Sequence, residues 1–322
     1  MTDPDDKETP VSEYTYVTTS RSQDGRVARI MLNRPEARNA QNRGMLVELD
    51  HALMAAEADD SVRVVILGGE GPMFSAGHDM GSKVRLVERT PGPNQHPSTL
   101  VNGGTRAGAE QRMLQEWHHF FNNTRRWRDL RKITIAEVHG KVYAAALMLA
   151  WSCDLIVAAE ETTFADVVGT RLGMCGVEYF AHPWEFGLRK TKELMLTGDS
   201  IDAEEAYRLG SVSKVFPADS LRADTDAFAA RIAALPTMTA LLIKEAVNQT
   251  ADNMGFHNAL NACFSLHQIN HSHWAEMHED KVPRAHESDG VANWKDAPPV
   301  TPAVKDRPGL EVASVAAPSE AG

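Results

Sequence analysis

Three short runs set the fold class of this 322-residue chain: VRVVILGG from Val62, KITIAEV from Lys132 and LIVAA from Leu155. Each is too short for a stable helix and too apolar for a strand with one wet face. Each therefore reads as a strand buried on both sides. Helical stretches separate them. NAQNRGMLVELDHALMAAEADD precedes the first run, with Asn39 as candidate N-cap and Leu46, Leu49 and Leu53 on one helical face. EQRMLQEWHHFFNNTRRWRDL leads into the second, AAALMLAWS joins the second to the third, and EAYRLG precedes a further short run, VSKVFP. Strands alternating with helices specify a parallel, layered α/β core. Ahead of it, YTYVTTSRS and RVARIMLNR flank a QDG turn and read as a hairpin. A weak strand–strand–helix repetition hints at stacked turns of chain.

The rest of the chain divides by composition. Residues 1–12 are polar and acidic and read as disordered, followed by a core over 13–220. From about Ser220 three helical stretches, LRADTDAFAARIAAL, MTALLIKEAVNQT and NALNACFSLHQINHSHW, make a helical region over 221–285. The tail, 286–322, is rich in proline and is expected to be disordered or draped over the surface. Between Gly81 and Ala109 breakers dominate, as in a long loop. The net charge of −11 argues against a general nucleic-acid role. Cys153, Cys175 and Cys263 form no CxxC and read as reduced cytoplasmic thiols. MTDPDDKETP is the opposite of a signal peptide. The segment Val142 to Ala159 has the length of a membrane span, but Cys153-Asp154 interrupts it. A buried helix running into a buried strand is expected there, and no membrane.

Two turns carry the chemistry. FSAGHDM follows VRVVILGG, and HGKVYAAALMLA follows KITIAEV. Small residues after a strand leave backbone N–H groups without partners and bring them close to a ligand. Two such turns aimed at one point form an oxyanion hole, a device that stabilises charge on a carbonyl oxygen. The competing reading is close packing of helix on sheet.

Four segments in order sharpen this: NRPEARNA, FSAGHDM, VHGKVYAAALMLAWSCDLIVA and LTGDSIDAEEAYRLGSVSKVFP. Together, from about Tyr14 to about Val282, they resemble the signatures of the crotonase, or enoyl-CoA hydratase/isomerase, superfamily. The resemblance implies an α/β fold, a spiral of ββα turns with a C-terminal helical trimerisation region, assembled as a homotrimer or hexamer. It implies an acyl-CoA or enoyl-CoA substrate, with coenzyme A part of the substrate and no separate cofactor or metal. The thioester oxygen would accept hydrogen bonds from the backbone N–H groups of His78 and Ala145. Ala37, Arg38, Ala76 and Lys244 match positions near coenzyme A, and Asp79 would brace the segment after it.

The departures from the family pattern matter as much. The two glutamates that add water in a hydratase correspond here to Met148 and Val168, and the usual glycine run is Ala144-Ala145-Ala146. Family members that shift double bonds carry an acid on the following loop, here GMCGVEYFAHPWEFG. Glu178 is the first candidate for acid and base, Asp166 the second, and His182 and Glu185 are weaker. Tyr143 and Trp151 read as packing. His118 and His119, with Glu116, fall on a helix that in the family flanks the acyl pocket. A non-catalytic acyl-CoA-binding protein, or a hydrolase of thioester or C–C bonds, are the alternatives. His267 and His271 are one helical turn apart and could bind metal. Without an HExxH motif they read as a solvated or interface helix face.

Overall fold

The computed structural model describes residues 14–84, 109–278 and 300–303. The readings made of 1–12, of most of the 81–109 stretch and of the tail on either side of 300–303 lie outside the described residues. The chain begins with the expected hairpin: β1 (Val17–Arg21) pairs antiparallel with β2 (Val27–Leu32), Thr19 opposite Ile30. From β2 onward every neighbour in the large sheet is parallel. Its order is β1-β2-β3-β4-β6-β9, with β3 at Val64–Gly69, β4 at Ile133–Val138, β6 at Leu155–Ala159 and β9 at Lys214–Phe216. All residues of β2, β3 and β4 are buried, as their unbroken apolar runs require.

Alternation along each strand divides the core into two. Val65, Leu67, Ala136 and Val138 face one cluster, which takes in Met45, Leu46, Leu49 and Leu53 of α1 (Arg43–Ala58). Val64, Ile66, Ile133 and Ile135 face the other, closed by Leu221, Ala229 and Ala233 of α9 (Leu221–Ala233). Helix α1 begins after Asn42, not after Asn39. Asn39 instead stands at φ +51 with its amide spanning three carbonyls, those of Glu70, Met73 and Phe74, at 2.8, 3.0 and 3.1 Å. A short side chain that tolerates the left-handed region thus staples the loop after β3.

A second sheet, in the order β5-β7-β8, is made of β5 (Lys141–Tyr143), β7 (Thr163–Ala165) and β8 (Ile201–Asp202). The chain alternates between sheets, β4 to β5, then β6 to β7 and β8, then back to β9. This alternation is the winding that the weak repeat hinted at. Ser200, beside β8, also pairs with Pro302, so the described piece of the tail drapes over the small sheet.

The helix into β4 is not uniform. α2 (Ala109–Gln115) opens into a wide π-helical segment, Glu116–Asn122, and tightens again in α3 (Asn123–Arg128). Further helices are α4 (Ala145–Trp151), α5 (Val168–Leu172), α6 (His182–Phe186), α7 (Leu188–Thr197) and α8 (Ala203–Leu209). After α9 come α10 (Thr237–Asn253) and α11 (Phe256–His278), the three-helix region the sequence implied. The Val142–Ala159 stretch is a strand end, a seven-residue helix and a buried strand. Among the described residues no single helix is long and apolar enough to cross a membrane.

Candidate active site

The two small-residue turns meet. FSAGHDM leaves β3 and runs as an extended segment between two backbone neighbours. Ser75 pairs with Val142 on one side, and His78 with Gln41 on the other. The His78–Gln41 bridge is made by Gln41 N–H to Gly77 O and Asp79 N–H to Gln41 O, at 2.8 and 3.0 Å. In a parallel bridge of this kind the central residue's own N–H points the other way. The His78 N–H is therefore directed away from residue 41 and meets no backbone acceptor among the described residues. Ala145 opens α4, where the first N–H groups of a helix lack intrahelical partners.

Gly77 shows how close these amides lie. At φ +92, a Cβ on Gly77 would sit 3.0 Å from Ala145 N and 2.9 Å from Tyr143 O. Any side chain there would collide with the backbone that carries the second donor. Ala144 adds strain at the same place, with φ +51 and ψ −124, a region that L-residues avoid. Its N–H is anchored to Ala165 O at 2.8 Å. The alanine substituted for glycine therefore holds the turn geometry at a conformational cost.

Ala37, Arg38 and Ala76, the residues expected near coenzyme A, fall beside this segment. Ala76 N–H donates to Arg38 O at 3.0 Å, and Ala37 lies in the 3-10 turn just before it. Arg38 is exposed. Asp79 braces the loop: it accepts from Arg34 Nη1 at 2.6 Å, from the N–H groups of Gly81 and Ser82, and from the Ser82 hydroxyl. Burial works against its charge, yet Ser82 and Arg34 hold its carboxyl below the usual range. Lys244 lies elsewhere. Its ammonium donates to Asp154 Oδ2 and Lys132 O, both at 3.0 Å, at the edge where β4 and β6 begin. The turns leave from the opposite ends of β3 and β4.

Glu178 and Asp166 are both buried and both face histidine, but in different company. Asp166 Oδ1 accepts from Val168 N–H at 2.9 Å. Its Oδ2 accepts from Val177 N–H and lies 3.0 Å from His182 Nε2. Burial opposes its charge, but His182 and the two backbone amides lower its pKa regardless. Glu178 Oε2 lies 3.1 Å from His78 Nε2, and its Oε1 lies 3.8 Å from His267 Nε2. The His78 ring stacks on Phe120 of the π-helical segment, centroids 3.6 Å apart. The residue that offers its N–H at the turn thus reaches the acid with its side chain. Met148 is buried among the core residues, and Val168 packs against them.

Beyond Glu178 the polar network continues. His267 and His271 are buried, not solvated, which overturns the expectation for that helix face. Glu116 of the π-helical segment stands between them: Oε2 is 3.4 Å from His267 Nε2, and Oε1 is 2.8 Å from His271 Nε2. Gln268 also donates to Glu116 Oε2 at 3.1 Å, and His267 Nδ1 lies 2.9 Å from Gly176 O. Burial opposes the charge on both partners, but pairing wins: the histidines hold the Glu116 carboxyl below its usual range. His267 is pushed up past its ordinary value by Cys175, Glu116 and Glu178 against the same burial. Sequence reasoning missed this cluster. The only signal was the i, i+4 histidine pair.

The comparisons agree with this geometry. The enoyl-CoA hydratase/isomerase family profile matches residues 22–98 and 100–288. The Mycobacterium tuberculosis protein named "Putative enoyl-CoA hydratase EchA13" is 62% identical over 296 residues, covering 92% of this chain and 93% of its own. A Rhizobium meliloti protein named as a probable enoyl-CoA hydratase is 33% identical over 240 residues, 74% of this chain and 83% of its own. A crystal structure of a probable enoyl-CoA hydratase from Mycobacterium smegmatis superimposes with a TM-score of 0.71 at 38% identity, covering 81% of this chain and 96% of that one. With motif order, spiral and converging turns in agreement, the chain belongs to the enoyl-CoA hydratase/isomerase family, the crotonase-fold enzymes that process acyl-CoA thioesters.

Proposed function

We propose that this protein moves a proton on an enoyl-CoA, shifting its double bond, with Glu178 as the single acid and base. The observation that carries this reading is the contact of Glu178 Oε2 with His78 Nε2 at 3.1 Å, one side chain away from the backbone N–H that faces the thioester. The thioester oxygen accepts hydrogen bonds from His78 N–H and Ala145 N–H, which makes the α-carbon acidic. Glu178 takes a proton from the acyl chain, the two amides hold the resulting enolate, and Glu178 returns the proton further along the chain. One carboxylate suffices for this transfer, whereas hydration in the family pattern uses two at positions held here by Met148 and Val168. Asp166 positions the loop that carries Glu178, through the Val177 N–H next to it.

For the substrate, Ala37, Arg38 and Ala76 line the coenzyme side, and the exposed Arg38 guanidinium suits a phosphate. Coenzyme A enters as part of the substrate, and the chemistry calls for no other cofactor. A homotrimer or hexamer is supported by the exposed apolar residues of α10, Met238, Leu242, Ile243 and Val247. Such an enzyme would work in the cytoplasm. The test is a panel of 2-enoyl-CoA and 3-enoyl-CoA thioesters. Double-bond migration that exceeds hydration and is lost in Glu178→Gln supports the reading. Hydration that exceeds migration, or turnover unchanged in Glu178→Gln, overturns it.

A further inference from the structure

The cluster behind Glu178 has a composition and geometry of its own. Glu116, His267 and His271 come from two elements far apart in sequence, the π-helical segment and α11. Their ligand atoms nevertheless all lie within 4.8 Å of one another, and all three residues are buried. Two imidazoles and a carboxylate are a donor set that suits a divalent transition metal. Four ligands around zinc at ordinary bond lengths stand ~3.3 Å apart. Each histidine nears a different oxygen of Glu116, His267 Nε2 at 3.4 Å from Oε2 and His271 Nε2 at 2.8 Å from Oε1, and the second contact would have to widen around an ion.

Two further observations separate this arrangement from an ordinary ion pair. First, neither His267 Nε2 nor His271 Nε2 makes an aligned hydrogen bond, although both are shut off from water and close to the carboxylate. An imidazole that only paired with Glu116 would aim its N–H along the contact. Nitrogens that lie near the carboxylate without aiming at it are disposed as ligands around a shared centre. Second, His267 Nδ1 is 2.9 Å from Gly176 O. A cation that displaced the Nε2 proton would leave Nδ1–H donated to that carbonyl, the outer support that metal-binding histidines ordinarily have.

We infer that Glu116, His267 and His271 form a divalent-cation site of the zinc class, clamping α11 to the π-helical wall of the catalytic pocket. The three residues fill three positions of a tetrahedral set. Glu178 Oε1, 3.8 Å from His267 Nε2, borders the fourth. A cation there would neutralise the buried carboxylate, fix the wall that stacks Phe120 on His78, and set the position of Glu178 from behind.

The test is metal binding, with a readout separate from acyl-CoA turnover. Untagged full-length protein, stripped with a chelator, is titrated with Co²⁺ and Zn²⁺ and followed by calorimetry and by the visible absorption of bound Co²⁺. The site predicts one ion per chain, a Co²⁺ spectrum of mixed nitrogen and oxygen ligation, and a higher melting temperature on Zn²⁺ addition. His271→Ala and Glu116→Gln weaken binding by more than about 100-fold, since even outer-shell losses cost up to that. His273→Ala, on the same helix but exposed, leaves binding unchanged. Stripped wild-type protein that takes up no stoichiometric ion would overturn the inference. So would a His271→Ala variant that folds, by circular dichroism, and binds Co²⁺ as tightly as the wild type. Because binding is read without substrate, failure here leaves the proposed double-bond chemistry standing, and the reverse also holds.

Discussion

Two buried acid–histidine pairs flank the short helix α5, and they differ in what else touches the acid. Asp166 has His182, which does most to hold its charge, and two backbone amides that tie it to the main chain. Among the described residues, Glu178 meets the imidazoles of His78 and His267. A carboxylate fixed by backbone donors is costly to protonate and serves as a brace. One whose partners are imidazoles suits the proton transfer proposed for Glu178. Both acids are similarly buried, so burial alone would not have told them apart.

The largest expected effect tests the reagent side. Glu178→Gln preserves shape and removes the proton acceptor, so kcat/KM for double-bond migration should fall about 1,000-fold, within the usual range for a lost acid–base group. The melting temperature should barely move. If Glu178→Gln instead unfolds the protein, the contrast between the pairs is broken. Asp166→Ala should show the converse, a loss of about 3 kcal/mol in denaturant unfolding, since it strands two buried amides and an imidazole.

Acid titration sharpens the same contrast. The Asp166 pKa is lowered in the fold, so its contribution is present above the unfolded value near 3.8 and is lost as pH falls through the native one. Asp166→Asn should therefore flatten the acid limb of the stability curve. Glu185, nearby at α6, runs the other way. Burial raises it to about 7, which the Ser211 hydroxyl at 2.9 Å only partly offsets. Between its ordinary 4.5 and about 7 the folded state holds a proton that the unfolded state has released, so stability falls as pH rises across that window. Glu185→Gln should stabilise the protein by about 2 kcal/mol at pH 8 and by almost nothing at pH 4, measured by chemical unfolding. The smallest effect belongs to the strained turn. Ala144→Gly relieves the φ +51 conformation and should add about 1 kcal/mol, net of the extra freedom glycine brings to the unfolded chain.

The fold was legible because its signals are local. Apolar runs such as VVILGG and ITIAEV could only be buried parallel strands, and Leu46, Leu49 and Leu53 could only share one face of α1. The closeness of the two turns was legible for the same reason, since small residues after a strand let backbone approach backbone. Asn39 was misread because its amide serves carbonyls more than thirty positions away, which no cap pattern encodes. Glu178 came from its offset in a family motif, not from chemistry visible in GMCGVEYF. Glu116 and His271 were invisible as a pair, lying 155 positions apart by number on different helices. Two helices must pack before their polar residues mean anything together.

The central claim is that one carboxylate, Glu178, exchanges a proton with an acyl chain whose thioester is held by the His78 and Ala145 amides. The most direct measurement is proton NMR of an enoyl-CoA in D₂O, following loss of the exchangeable acyl-chain protons with catalytic amounts of enzyme. The wild type should exchange them, and Glu178→Gln should bind the thioester with similar affinity but exchange about 1,000-fold more slowly. Exchange at the wild-type rate in Glu178→Gln, with the thioester bound, would contradict the account.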